Sequence, residues 1–264
     1  MKESFTTYGI LIIAIYGVVQ IWLIAIWKHF IWKGSLIIYK SGRLEVGYSN
    51  FGPTLTINGT LRAERKTVFV REISAVVTRE RDGSVHQFEW TALKSTQLRI
   101  GAEDPITLEL PAAFNVSPAH PHRFNIFFSD RQTKSEFESA LVTVEQAWQN
   151  YLNDHSEEIN AAMGTPGVTM KTAKEGLYSS DFSRTSQEHR DAFDILARSN
   201  YWTAGTYRIR FEVRTSGPDK EFSNEWEFSL SDQEFDSLRL NSVVTLLNIC
   251  IGDARYYFAY PDFT

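Results

Sequence analysis

The chain has a single cysteine, Cys250, in 264 residues. That excludes an intramolecular disulfide framework and fits a reducing compartment. Positive charge is not in excess either: 27 Lys and Arg against 32 Asp and Glu give a formal net charge of −5. Nucleic-acid binding rests on neutralising phosphates with Lys and Arg, so no nucleic-acid partner is expected. Motifs that name a reaction are also missing. There is no G-x-G-x-x-G, P-loop, H-E-x-x-H, G-x-S-x-G or C-x-x-C pattern. These are the signatures of dinucleotide, nucleoside-triphosphate, zinc-peptidase, serine-hydrolase and dithiol chemistry. No cofactor and no catalytic residue are expected from the sequence.

What is present, first, is a long apolar run. Residues 8–27, YGILIIAIYGVVQIWLIAIW, carry no charge, and Gln20 is their one strongly polar side chain. At about 1.5 Å per residue a helix of that length covers about 30 Å, the thickness of a bilayer's hydrocarbon core. A cleaved signal peptide needs a basic leader, a shorter apolar stretch and a small-residue cleavage site. Here the leader sets Lys2 against Glu3, and the run ends at Trp27, Lys28, His29 and Phe30 with no such site. Trp27, Lys28, Trp32 and Lys33 are spaced as an interfacial belt, with rings at headgroup level and lysines reaching outward. The expectation is a single transmembrane helix over 8–27. Lys28, Lys33, Lys40 and Arg43 follow the run and only Lys2 precedes it. Flanking basic residues stay on the cytoplasmic side, so the C-terminal domain is expected in the cytoplasm. Taking the three lysines and one glutamate of residues 1–33 from the totals leaves the rest more acidic still, at −7.

Beyond the run, strand patterns dominate. Residues 73–90, ISAVVTRERDGSVHQFEW, hold Asp82-Gly83 between alternating stretches, the signal for a two-residue type I′ hairpin. Folding there pairs Val77 with Phe88 and Ala75 with Trp90. Period-two alternation recurs at Leu44, Val46 and Tyr48; at Leu55, Ile57 and Leu61; at Ile106, Leu108 and Leu110; and at Phe124, Ile126 and Phe128. Near the C-terminus, Tyr207, Ile209, Phe211 and Val213 face Phe222, Trp226, Phe228 and Leu230 across Gly217-Pro218-Asp219. Arginines and glutamates then alternate on the wet face. The fold expected is mainly β with added helices (α+β): a transmembrane helix, then an antiparallel β-sandwich with two to three packed α-helices. Its strand pattern is of the general type seen in immunoglobulin-like and arrestin-like sandwiches.

Three helices carry start signals of the Ser/Thr-x-x-Glu kind, at Thr133–Glu136, Thr185–Glu188 and Ser231–Glu234. The last is expected to bury Phe235, Leu238, Val243, Leu246 and Leu247. Residues 153–184 lack periodicity and are broken by Gly164, Pro166, Gly167 and Gly176, which predicts a flexible loop. The organisation expected is an anchor with its flanks (1–33), a sandwich core (34–130), a helical insertion (131–200), and a hairpin, helix and aromatic tail (201–264) completing the same domain.

Candidate chemistry is thin. His120 and His122 flank a proline and are the best metal candidates, but a site needs at least a third ligand. Glu103, Asp104 and His86 are of the right type without being placed by spacing. Cys250 lies on an apolar helix, where a buried inert thiol is expected. Glu188-His189 reads equally as an acid–base pair or as a solvated helix start with a capping Glu, and Asn58 and Asn115 as chance sequons. The C-terminal RYYFAYPDFT concentrates Tyr256, Tyr257, Phe258, Tyr260 and Phe263. They read first as a last strand or strap packed on the sandwich and alternatively as anchors for a partner, since Tyr and Phe are favoured at interfaces. The function expected is a single-pass membrane-anchored protein whose cytoplasmic sandwich is a non-catalytic interaction module for a protein partner. An extracytoplasmic envelope-assembly subunit and an enzyme with a site built from scattered loop residues are the alternatives.

Overall fold

The computed structural model describes residues 16–27, 34–96, 106–252 and 254–263. Residues 16–27 are helical (α1). Among the described residues no helix is long and apolar enough to cross a membrane. The spanning helix expected over 8–27 is therefore not shown. Residues 8–15 lie outside the described residues, as do Lys28, Trp32 and Lys33. The part that is described carries its apolar side chains outward, with Ile21, Trp22 and Leu23 at 60–69% exposure.

The body is α+β, and its strands form one antiparallel sheet. They are β1 (Ser35–Lys40), β2 (Glu45–Ser49), β3 (Gly52–Glu64), β4 (Val68–Arg79), β5 (Val85–Thr96), β6 (Ile106–Glu109), β7 (Phe114–Val116), β8 (His122–Asp130), β9 (Gly205–Ser216), β10 (Lys220–Leu230) and β11 (Phe258–Ala259). The main path runs β10-β9-β4-β5-β8-β3-β2-β11, with β1 added to β3, β6 to β5 and β7 to β4. Instead of two sheets facing each other, one sheet curls until the inner faces of its halves meet. Phe124 of β8 stacks on Phe211 of β9 at 5.4 Å, and the Asn224 amide of β10 donates to the Ile38 carbonyl of β1 at 2.8 Å. The side-chain alternation of the strands fills this interior, with Leu55, Ile57, Val77, Phe88, Ile126, Phe128, Ile209 and Phe228 all fully buried.

The 73–90 hairpin forms in a different register from the one expected. Ala75 pairs with Phe88 and Val77 with His86, so the partners slide by two residues. The cause is the turn. A type I′ turn needs positive φ at both central residues, and here Gly83 alone has it, at 68°. Asp82 instead uses its carboxylate, accepting from Ser84 N–H at 3.1 Å and from the Arg79 guanidinium at 2.6 and 3.0 Å. A four-residue loop results, closed by Arg79 N–H to Ser84 O. Because side chains alternate with period two, a slip of two leaves Ile73, Ala75, Val77 and Phe88 on the buried face. The second hairpin has the expected facing: Phe222 opposes Val213, Trp226 opposes Ile209 and Phe228 opposes Tyr207. On its outer face Arg208 pairs with Glu227 and Glu80, and Arg214 with Glu221 and Glu72, all at 3.1–3.3 Å. Leu108 and Leu110, expected on an inward face, are exposed at 48% and 85%.

The helices cover one end of the curl. α2 (Arg131–Asp154) starts earlier than the Thr133 signal. Asp130 is its cap, accepting from Gln132 N–H at 2.9 Å while its other oxygen meets His86 Nδ1 at 2.8 Å. α6 (Gln187–Arg198) is capped by Ser186, one residue after the expected Thr185. Ser231 and Glu234 do form the capping box, opening α7 (Asp232–Arg239). The helix is interrupted at Leu240, and α8 (Asn241–Cys250) follows. The break turns Asn241, Ser242 and Thr245 inward and leaves Val243, expected to be buried, 49% exposed.

Residues 153–184 are not a loop. They form α3 (Ser156–Met163), α4 (Met170–Leu177), a π-helical turn (Tyr178–Phe182) and the single turn α5 (Ser183–Thr185). Each piece is too short to show a period, yet Ile159, Ala173, Tyr178 and Phe182 anchor them in a second core with Trp148, Leu196 and Leu246. Three buried polar contacts follow: one joins the helical core to the sheet, one lies within the sheet core and one ties the helical core internally. Tyr48 of β2 donates to the Leu196 carbonyl, Trp202 donates to the Gly47 carbonyl at 2.7 Å, and Trp148 donates to the Cys250 carbonyl at 2.6 Å.

Candidate interaction surface

The C-terminal residues form a strap whose path is fixed by backbone capture. Asn241 and Asn248 lie seven residues apart on α8, two turns along one face. The Asn241 amide donates to Tyr257 O and its oxygen accepts from Tyr257 N–H, both at 2.8 Å. Asn248 does the same for Ala254, at 2.9 and 2.7 Å. Each carboxamide thus acts as a strand neighbour would, supplying a donor and an acceptor. Asn241 is fully buried, so these bonds are shielded from water. Past them, β11 pairs with β2 through Phe258 opposite Gly47 and Ala259 opposite Val46. Leu44 N–H reaches Pro261 O at 3.3 Å, and Phe263 ends edge-on against Trp226 at 5.4 Å.

Glycine at 47 makes this course possible. A Cβ built there would lie 2.4 Å from the Phe258 ring. The ring also sits 5.8 Å from the Lys94 ammonium. Lys94 and Glu45 form a largely buried ion pair at 2.6 Å beneath the strap, and Thr56 Oγ1 adds a hydrogen bond to Glu45 at 3.0 Å. Burial, and then the charge of Glu45, push the Tyr260 phenol above its ordinary value.

The strap sorts the four aromatic candidates. Phe258 is committed inward, over Gly47, and Tyr256 is half-buried. Tyr257 and Tyr260 remain 46% and 50% exposed. Leu240 and Val243, on either side of Asn241 in the sequence, are exposed to the same degree. Sequence reasoning missed Leu240 and Val243 because a continuous helical period over 232–250 hides the break at 240.

The other candidates are placed elsewhere. His122 opens β8 and stacks on Phe114 at 4.0 Å, and burial lowers its pKa. His120 stays in the preceding loop with Ser117 at 3.2 Å. Among the described residues no group of three or more His, Cys, Asp or Glu side chains could hold a metal ion. Glu103 and Asp104 lie outside the described residues. His86 is bound to the α2 cap, Asp130, and lies against the Tyr201 ring at 3.9 Å. His189, expected on a solvated helix start, is buried with its Nε2 2.9 Å from the Tyr178 hydroxyl. Burial and then the charge of Arg190 lower its pKa. The Cys250 thiol is buried, and burial and then the charge of Glu145 push its pKa up to about 12. Trp27 of the expected interfacial belt is helical and 49% exposed.

Several hollows mark the surface, two of them notable. One of about 330 Å³ opens where β4 and β5 part company, between Arg71, Glu72, Glu89 and Trp90 under Pro111–Ala113. The second, about 360 Å³, lies between α2 and α6. Comparison with protein-family models, with curated proteins and with solved structures returned no match for the chain.

Proposed function

We propose that the chain is a single-pass membrane-anchored protein whose cytoplasmic α+β domain is a non-catalytic interaction module, docking a protein partner through the C-terminal strap. The observation that carries the reading is the strap itself: a backbone clamped by two asparagines presents Tyr257 and Tyr260 to solvent. Fixing the backbone in advance lowers the ordering cost of association, and exposed tyrosines supply area with little rotamer entropy to lose. The anchor is supported by the apolar run 8–27 and by the outward apolar side chains of α1, which call for an apolar surrounding. The orientation is supported by the basic residues that follow the run.

A two-colour topology reporter fused after Thr264 tests the placement: an enzyme active only outside the cytoplasm and a fluorophore that matures only inside it. Fluorescence without enzyme activity is the expected result, and the reverse overturns the orientation. The docking role is tested by a photo-reactive phenylalanine at position 257 in cells. A discrete crosslinked protein is expected, and Tyr260→Ala should reduce it at least tenfold while the domain stays folded. An unchanged crosslink refutes the strap as the contact.

A further inference from the structure

The hollow between α2 and α6 has a different character from the strap. Its floor is Ala140, Ala192 and Ile195, and its walls carry Glu136, Glu188 and Asp191. Ala140 and Ala192 are buried at 8% and 2%, and their small side chains leave the recess between two helix backbones. The hollow beside it is lined by Asp191, Asp194, Ile195 and Ala197 with Arg198, the one basic side chain lining either of them. Arg198 reaches Glu136 at 3.7 Å, a long contact between exposed groups. Exposed pairs of this kind add little stability, so the acidic rim is not there to hold the helices together. From Glu136 to Thr143 the groove runs two turns of α2, about 10 Å at 1.5 Å per residue. An apolar floor of that length between acidic walls complements one kind of surface: a helix with a stripe of apolar residues bordered by Lys and Arg.

We infer that the α2–α6 groove receives a lysine- or arginine-rich amphipathic helix of a partner protein. Apolar anchors spaced three or four residues apart enter over Ala140 and Ala192, as in other helix-in-groove recognition. Basic residues on either side meet Glu136, Glu188 and Asp191, setting orientation and the rate of encounter more than raw affinity. The inference stands apart from the strap and holds wherever the N-terminal run resides.

The test uses the full chain in a non-ionic detergent and a fluorescent 16-residue helical peptide of lysine, alanine and a single leucine stripe. Anisotropy is read against a detergent-only blank. Saturable binding is expected, weakening at least fivefold between about 0.05 and 0.3 M salt as screening shortens. Asp191→Lys and Ser139→Trp should each weaken it at least tenfold, one by reversing a wall charge and the other by filling the groove with no change of charge. Glu145→Lys, an exposed site on α2 outside the groove, makes the same charge change as Asp191→Lys and should leave affinity within twofold. The inference is overturned if Glu145→Lys weakens binding as much as Asp191→Lys, if Ser139→Trp has no effect, or if a glutamate version of the peptide binds equally well.

Discussion

Position 47 shows how much one missing side chain decides. Gly47 does not sit in a left-handed turn; its lack of a Cβ is what lets Phe258 lie flat on β2. Gly47→Ala should force the ring off and cost about 1–3 kcal/mol, the usual range for overpacking. Urea unfolding of Gly47→Ala, Phe258→Ala and the double variant checks the cause. Once Phe258 is gone the alanine should cost little more, and additive losses would mean the strain lies elsewhere. None of this was legible beforehand. A glycine within an alternating stretch signals close backbone approach in general terms, but the ring that approaches is more than 200 residues away. The exposure of Tyr257 and Tyr260 was readable only as an aromatic concentration. Which rings face outward follows from Asn241 and Asn248, two polar residues on an apolar helix that gave no sign of clasping a strand.

Elements were legible in proportion to their length. The long alternating strands and α2 announced themselves through period, and the charged ladder of Arg208, Arg210 and Arg214 followed from the same alternation. Short pieces did not. Two-turn helices between 153 and 184 show no repeat, and their stability comes from a few anchors in a distant core rather than from propensity. That dependence is checkable. Tyr178 is 6% exposed and hydrogen-bonded to the buried His189. Tyr178→Ala should cost about 3–5 kcal/mol, as for other large buried aromatics, and should open residues 153–184 to limited proteolysis at concentrations that leave the parent chain uncut. A variant as resistant as the parent would show that the segment holds itself together. The hairpin at Asp82-Gly83 gives the complementary lesson. Turn residues were read correctly as a turn, but an Asp that can accept hydrogen bonds from Ser84 and Arg79 does better at negative φ, and the register moves with it.

At the scale of the whole molecule, two cores share few but buried connections. Tyr48 gives its hydroxyl hydrogen to the Leu196 carbonyl of α6 from β2, while Trp148 and Trp202 donate to carbonyls within the helical core and within the sheet core respectively. Leaving the Leu196 carbonyl unpaired in the interior costs about 1–3 kcal/mol, so the layers should open together. Cys250 reports on the helical core because its thiol is buried there with its pKa pushed up to about 12. Labelling of Cys250 by a thiol reagent during urea unfolding should coincide with loss of the sheet's circular-dichroism signal. Labelling that precedes it would show a helical layer that detaches on its own.

The arrangement around β3 has a mechanical side. β1, the first strand after the N-terminal run, pairs with the second half of β3, and β2, which carries the strap, pairs with its first half. Tension applied between Gly34 and Phe258 has a path through β1, β3, β2 and β11, with side branches to β10 through Asn224 and Ile38 and to α8 through Asn241 and Tyr257. A tether at one end and a load at the other would meet on a single strand.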